Sequence, residues 1–110
     1  MDFRNLDEDD VSIAFMELSK SDYKHGELSG QVKYLEEAIK QAKARVFLQS
    51  EGTVAERQEK AIASDSYDIA VKAWIEAYKQ FKILDNERNT HARLLDMFQT
   101  LSANRRKGML

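Results

Sequence analysis

From Val11 onward the apolar side chains fall into a repeat. Val11, Ala14 and Leu18, then Leu28, Val32, Leu35, Ile39, Ala42 and Val46 recur at alternating spacings of three and four, with Ser21 and His25 in the places between. Such a repeat puts one stripe on one side of an α-helix and predicts a heptad seam facing another helix. A long helix is therefore expected over 11–51. Gly26 and Gly30 fall inside it, and each costs roughly 1 kcal/mol in a helix interior relative to alanine. They predict a break or kink near 26–30, the alternative being close approach of a second backbone to the Gly-x-x-x-Gly face.

The pattern stops at Glu51-Gly52, where a glycine suits the left-handed conformation that ends helices. Thr53-Val54-Ala55-Glu56 then has the spacing of a capping box, in which the threonine oxygen and the glutamate satisfy each other's free amides. A short helix is expected over 54–63. Ser64-Asp65-Ser66 supplies three consecutive capping side chains, so the chain restarts there as a last long helix over 66–106. Along it Tyr67, Ala70, Trp74, Ala77, Phe81, Leu84, Arg88, His91, Leu95 and Phe98 hold the three-four spacing, flanked by Val71, Tyr78, Leu94 and Leu101.

Two helices of this length, at 1.5 Å per residue, would each span on the order of 60 Å, whereas a compact globule of this size is about 30 Å across. The expected fold is thus all-α: an elongated helical hairpin of two long heptad-patterned helices with a short helix between them. One partner helix cannot cover the wide aromatic face formed by Tyr67, Trp74, Tyr78, Phe81 and Phe98, which predicts a coiled-coil-like homo-oligomer. A folded-back monomeric three-helix bundle is the alternative. Arg88 and His91 interrupt the stripe together and belong to the same expected partner face, as polar residues that set register or oligomer state.

Composition narrows the class. There is no proline and there are only four glycines, which removes the punctuation that turns and strands require. A length of 110 residues, 43% of them apolar, fits a single folded domain over 1–110 rather than a disordered chain. No cysteine is present, so nothing calls for an oxidising compartment and thiolate metal sites are excluded. Residues 1–10 are acidic and expected to be flexible, unlike the basic start of a signal peptide, and the longest apolar runs are of the Ile13 to Met16 kind, far below a membrane span. A cytoplasmic protein without membrane contact is expected.

The net charge of −2 is uneven. Residues 1–42 carry five basic and ten acidic groups, 43–63 four and three, and 64–110 eight and six. A duplex-DNA binder normally has a much stronger basic excess, so any nucleic-acid role must come from a local patch. Two places qualify. Lys40, Lys43 and Arg45 approach the end of the first helix, and Arg57 and Lys60 sit on the short helix beyond the turn. Arg105-Arg106-Lys107 lies close to the end of the chain. Modest patches become a continuous track for a phosphate backbone when several copies repeat them.

Catalytic signatures are missing. No Gly-rich phosphate loop, zinc-ligand pair, nucleophile elbow or cofactor motif is present, and His25 and His91 sit on separate helices at seam positions that favour packing. Neither an enzyme nor a metal or cofactor site is expected. Glu36-Glu37 reads as a solvated face and the Asp7 to Asp10 run as a helix-start cluster that complements the helix dipole. Trp74 has the chemistry to stack a nucleobase, but at helical spacing it reads first as core.

The order Lys43-Ala44-Arg45, then Ser50-Glu51-Gly52, a charged short helix, a capped restart at Ser64-Asp65-Ser66, and a last helix with a central Trp74 and an arginine-bearing tail resembles the UvsY-type recombination mediators of T4-type bacteriophages. The likeness covers the chain from Lys43 onward. It implies an oligomer that binds single-stranded DNA and helps load a RecA-type recombinase onto strands covered by single-strand binding protein. Within that family the Lys-Ala-Arg element contributes to DNA contact, which carries over to Lys43 and Arg45; Arg57, Lys60, Arg105, Arg106 and Lys107 join them on charge alone. The acidic first 42 residues depart from what a DNA binder favours and read as a surface for a basic partner protein or for control of assembly. The competing expectation is a helical protein-protein interaction module (adaptor, host-enzyme inhibitor or assembly chaperone) with no affinity for nucleic acid.

Overall fold

A computed structural model describes residues 6–108, and these form an all-α helical hairpin. Helix α1 spans Glu8–Gln49, α2 spans Val54–Ile62 and α3 spans Asp65–Gly108, with no strand among the described residues. The tertiary contacts of the chain gather into two compact units. One contains the start of α1 up to His25 with α3 from Ile83 on; the other runs from Gly26 to Lys82.

Helix α1 starts earlier than the apolar repeat predicts. The Asp7 amide donates to Asp10 Oδ2 at 3.2 Å, and the Asp10 amide donates to Asp7 Oδ1 at 2.9 Å. This reciprocal pair satisfies two amides that a helix start leaves free, which is the physics of a capping box with aspartate in both places. The acidic residues are therefore the first turn of the helix rather than a tail, and Leu6, also expected in the flexible segment, is 2% exposed. The expected flexibility of residues 1–5 lies outside the described residues.

The interruption expected at 26–30 does not occur: α1 is continuous through both glycines. A Cβ at either position would meet nothing within 4 Å, so among the described residues no other backbone approaches them. The cost of the two glycines, roughly 1 kcal/mol each, is outweighed by the seam around them, where Leu28 and Val32 are buried.

In the first unit Leu6, Ala14 and Leu94 form a core on which Leu95, Phe98 and Leu101 pack. Two polar contacts join α1 to α3 beside it. His25 Nε2 lies 2.9 Å from Asp85 Oδ1. Arg88 donates to the Leu18 carbonyl at 2.8 Å, to Ser21 Oγ at 2.7 Å and to Asp22 Oδ1 at 2.6 Å. The helices thus run antiparallel here, and polar groups fix their register.

In the second unit Leu28, Val32, Ala61 and Ala77 are buried. The joint between α1 and α2 is set by Gly52, whose φ of 122° is open to glycine and strained for other residues. Thr53 caps α2 by accepting from the Glu56 amide at 3.2 Å, while the Glu56 side chain lies over Gly52. Ser64 precedes α3 and its Oγ accepts from the Tyr67 amide at 3.3 Å. Both capping positions read from the sequence are thereby occupied as helix starts.

Every seam position named on α1 and α3 is buried or half-buried, but only seven of the described residues are fully buried. One seam per helix gives a thin core. Large apolar side chains remain exposed on the helix backs, among them Phe15, Tyr23, Tyr34, Leu48 and Ile69.

Candidate nucleic-acid interface at the α1–α2 joint

The last turns of α1 and the adjoining α2 bring three of the expected cationic residues, Lys43, Arg57 and Lys60, into one neighbourhood, and they divide into two kinds; Arg45, two residues beyond Lys43, lies on another side of α1. Arg57 is half-buried. Its Nε donates to the Phe47 carbonyl at 3.0 Å, and its guanidinium carbon sits 4.2 Å from the centroid of the Phe47 ring. Lys60 Nζ donates to the Glu51 carbonyl at 2.7 Å. Both cations therefore bond to main-chain carbonyls at and just beyond the end of α1, in the field of its negative pole. Charge at this spacing looks like a phosphate patch in the sequence, but here Arg57 and Lys60 tie the joint together.

Lys43 and Arg45 are exposed and have no such bond. Lys43 lines an open cavity of about 310 Å³ with Lys40, Ala44, Phe47 and Gln58. Lys40, Lys43 and Phe47 follow one side of α1 at i, i+3 and i+7, so two ammonium groups and one aromatic ring share a concave surface. Lys40 also pairs with Glu37 at 3.2 Å, both side chains being well exposed, which leaves that amine available at little cost. Sequence reasoning passed over Phe47 and Gln58, because neither belongs to a charge cluster; Phe47 falls one place beyond the seam residue Val46. Chemically the surface suits an anion next to a flat apolar group.

Arg105, Arg106 and Lys107 form the last turn of α3, in the other unit, and are exposed. The residues expected to make a partner face are distributed differently from the simple stripe. Trp74 and Tyr78 stack with centroids 5.0 Å apart and planes 18° from parallel, and Trp74 Nε1 is buried without an acceptor among the described residues. Tyr67 and Phe81 are half-buried, and Phe98 packs on the Leu6–Ala14–Leu94 core. Of the five aromatics only Tyr78 is exposed. Arg88 spends its donors within the chain, and His91 joins Glu17, Ser21, Leu84, Glu87 and Arg88 around a cavity of about 80 Å³.

Among the described residues no group of three or more His, Cys, Asp or Glu side chains is gathered as a metal ion would need. No described helix is long and apolar enough to cross a membrane. No protein-family model, curated protein or solved structure matches the chain.

Proposed function

We propose that this protein is a self-assembling accessory factor of phage-type recombination or replication, acting in the bacterial host cytoplasm. It binds single-stranded DNA at the α1–α2 joint and helps load a recombinase onto strands held by single-strand binding protein. The observation that carries the reading is the concave surface at which Lys40 and Lys43 lie beside Phe47; Arg45 is exposed on another side of the same helix. A phosphate meets the ammonium groups and an unstacked base meets the ring, a combination that tolerates any sequence. The resemblance to UvsY-type mediators implies a DNA-contacting element at Lys43 and Arg45, of which Lys43 lines this surface. With few cations per copy, affinity must come from several copies on one strand, which fits the thin core of a single chain.

A second reading, a protein-interaction module without nucleic-acid binding, is favoured by one observation: Tyr23, Tyr34, Leu48 and Ile69 are more exposed than large apolar residues of a self-sufficient fold need to be. Anisotropy of a labelled single-stranded oligonucleotide separates the two. Log affinity for a single strand falls against log salt by about 0.7 per phosphate neutralised. The first reading expects salt-dependent binding that is lost in the Lys43→Ala/Arg45→Ala variant. Absence of binding at low salt by the folded protein would remove it and leave a protein partner as the function.

A further inference from the structure

The cavity beside Phe47 takes its side chains from two helices. Lys40, Lys43, Ala44 and Phe47 belong to α1, and Gln58 comes from α2. Arg57, next to Gln58 in the chain, sits over one face of the Phe47 ring and is not among the residues around the cavity. The ring therefore meets the cavity on a side that the guanidinium leaves open. Gln58 is exposed, and no other described residue engages its carboxamide. An uncommitted amide thus stands beside an open aromatic surface and two ammonium groups. The volume, about 310 Å³, is at the small end of the range for small-molecule sites, about 300–1,000 Å³. That is room for one nucleotide rather than for a stacked run.

The chemistry of the amide says which nucleotides it accepts. A carboxamide carries one acceptor and two donors, and turning it over exchanges them. On the edge used in base pairing, adenine and cytosine present an amino donor beside a ring-nitrogen acceptor. Thymine and guanine present a carbonyl acceptor beside an N–H donor. One orientation of the amide satisfies the first two bases and the flipped orientation the other two, so each base gains a pair of hydrogen bonds while that edge is free. In a duplex the complementary base occupies it. Phosphate contacts by lysine carry no such discrimination.

We infer that Gln58 is the residue that selects unpaired bases. One nucleotide packs its base on the open side of Phe47, sets its pairing edge against the Gln58 carboxamide and leaves its phosphate to Lys40 and Lys43. The amide excludes paired bases without preferring one base over another. The inference deepens the strand-binding reading of this site and rests on it, and it gives Arg57 no part in strand contact.

Anisotropy of labelled thymidine oligonucleotides and of the same strands built from N3-methylthymine tests it, with the wild type and with Gln58→Met. The methyl group replaces the N–H on the pairing edge and leaves the phosphates unchanged. Gln58 is exposed, methionine keeps its length and its helix propensity, and far-UV circular dichroism confirms that the variant stays helical. Methylation is expected to weaken wild-type binding by about fivefold, the low end for an amide contact to a base edge, and to leave binding by Gln58→Met unchanged. A duplex with an adenine strand is expected to bind the wild type more weakly than the single strand at the same salt, and Gln58→Met to narrow that difference. Equal binding of methylated and unmethylated strands by the wild type overturns the role of Gln58 and leaves strand binding at Lys43 and Phe47 standing. An equal loss on methylation in both proteins overturns it as well, because another group then reads the edge. Absence of binding to either strand at low salt overturns the inference together with the strand-binding function.

Discussion

Arg88 is hydrogen-bonded to the main-chain carbonyl of Leu18, 2.8 Å across the hairpin. The Ser21 hydroxyl donates to that same carbonyl at 3.2 Å and accepts from Arg88 at 2.7 Å. One guanidinium therefore reads three acceptors on one turn of α1, Asp22 being the third. A shift of α3 along α1 by a single residue would break this pattern, whereas an apolar seam tolerates such slips more readily.

Removing the fork should cost stability and loosen register. Arg88→Ala is expected to lower unfolding free energy by about 2 kcal/mol, within the range for losing hydrogen bonds to a charged group. The Asp22 carboxylate is largely exposed, so its ion pair is a small part of that loss. Arg88→Lys keeps the charge but not the planar set of donors and should recover only a fraction. Urea unfolding of both variants checks this; full recovery with lysine would show that charge alone matters.

Gly52 governs the α1–α2 joint through its backbone and its lack of a side chain. Its φ is +122°, and an ideal Cβ would sit 2.5 Å from Glu56 Oε2. Gly52→Ala is expected to destabilise by about 1–2 kcal/mol, more than the benefit of stiffening the unfolded chain. Adding Glu56→Ala removes the Oε2 contact but leaves the tight 3.3 Å approach to the Cβ of residue 56 and the backbone strain, so the double variant should regain only part of the lost thermal stability. Complete recovery would place the whole cost in the clash.

The seam positions, the Gly52 stop and the caps at Thr53 and Ser64 were legible in the sequence because each rests on spacing or on backbone chemistry local to a few residues. The start of α1 was not, since Asp7 and Asp10 look like solvated charge until their reciprocal amide bonds are seen. The glycine pair misled because a local cost was weighed without the packing of Leu28 and Val32 that offsets it. At the candidate site, the charge of Arg57 and Lys60 was legible but their use was not. Whether a cation serves a ligand or a helix end depends on where the chain turns back, and no spacing rule contains that. Phe47 went unnoticed for the same reason, its significance coming from the residues folded around it.

Because neither Gly26 nor Gly30 has a neighbour within 4 Å of a Cβ position and neither has a positive φ, alanine should fit at both. Gly26→Ala and Gly30→Ala are each expected to stabilise the chain by up to about 1 kcal/mol, through higher helix propensity and a less flexible unfolded state. The effects should add, since the two side chains would not touch. Denaturant midpoints of the single and double variants measure this. Destabilisation would mean that a backbone approaches the pair in the assembled protein, a contact absent within one chain.

The division of the joint cations makes the final prediction, because stability and strand binding should separate between the two pairs. Arg57→Ala loses the bond to the Phe47 carbonyl and the contact with its ring, for an expected cost of about 1–2 kcal/mol. Lys60→Met leaves the Glu51 carbonyl to water and should cost less, about 0.5–1 kcal/mol, since that carbonyl is at the surface. Lys43→Ala/Arg45→Ala touches no such bond and should leave stability within about 0.5 kcal/mol, while flattening the salt dependence of strand binding. Unfolding curves and anisotropy titrations on the same preparations read both quantities. If Arg57→Ala and Lys43→Ala/Arg45→Ala lower affinity equally at unchanged stability, the joint cations act as one electrostatic patch and their assignment to separate roles fails.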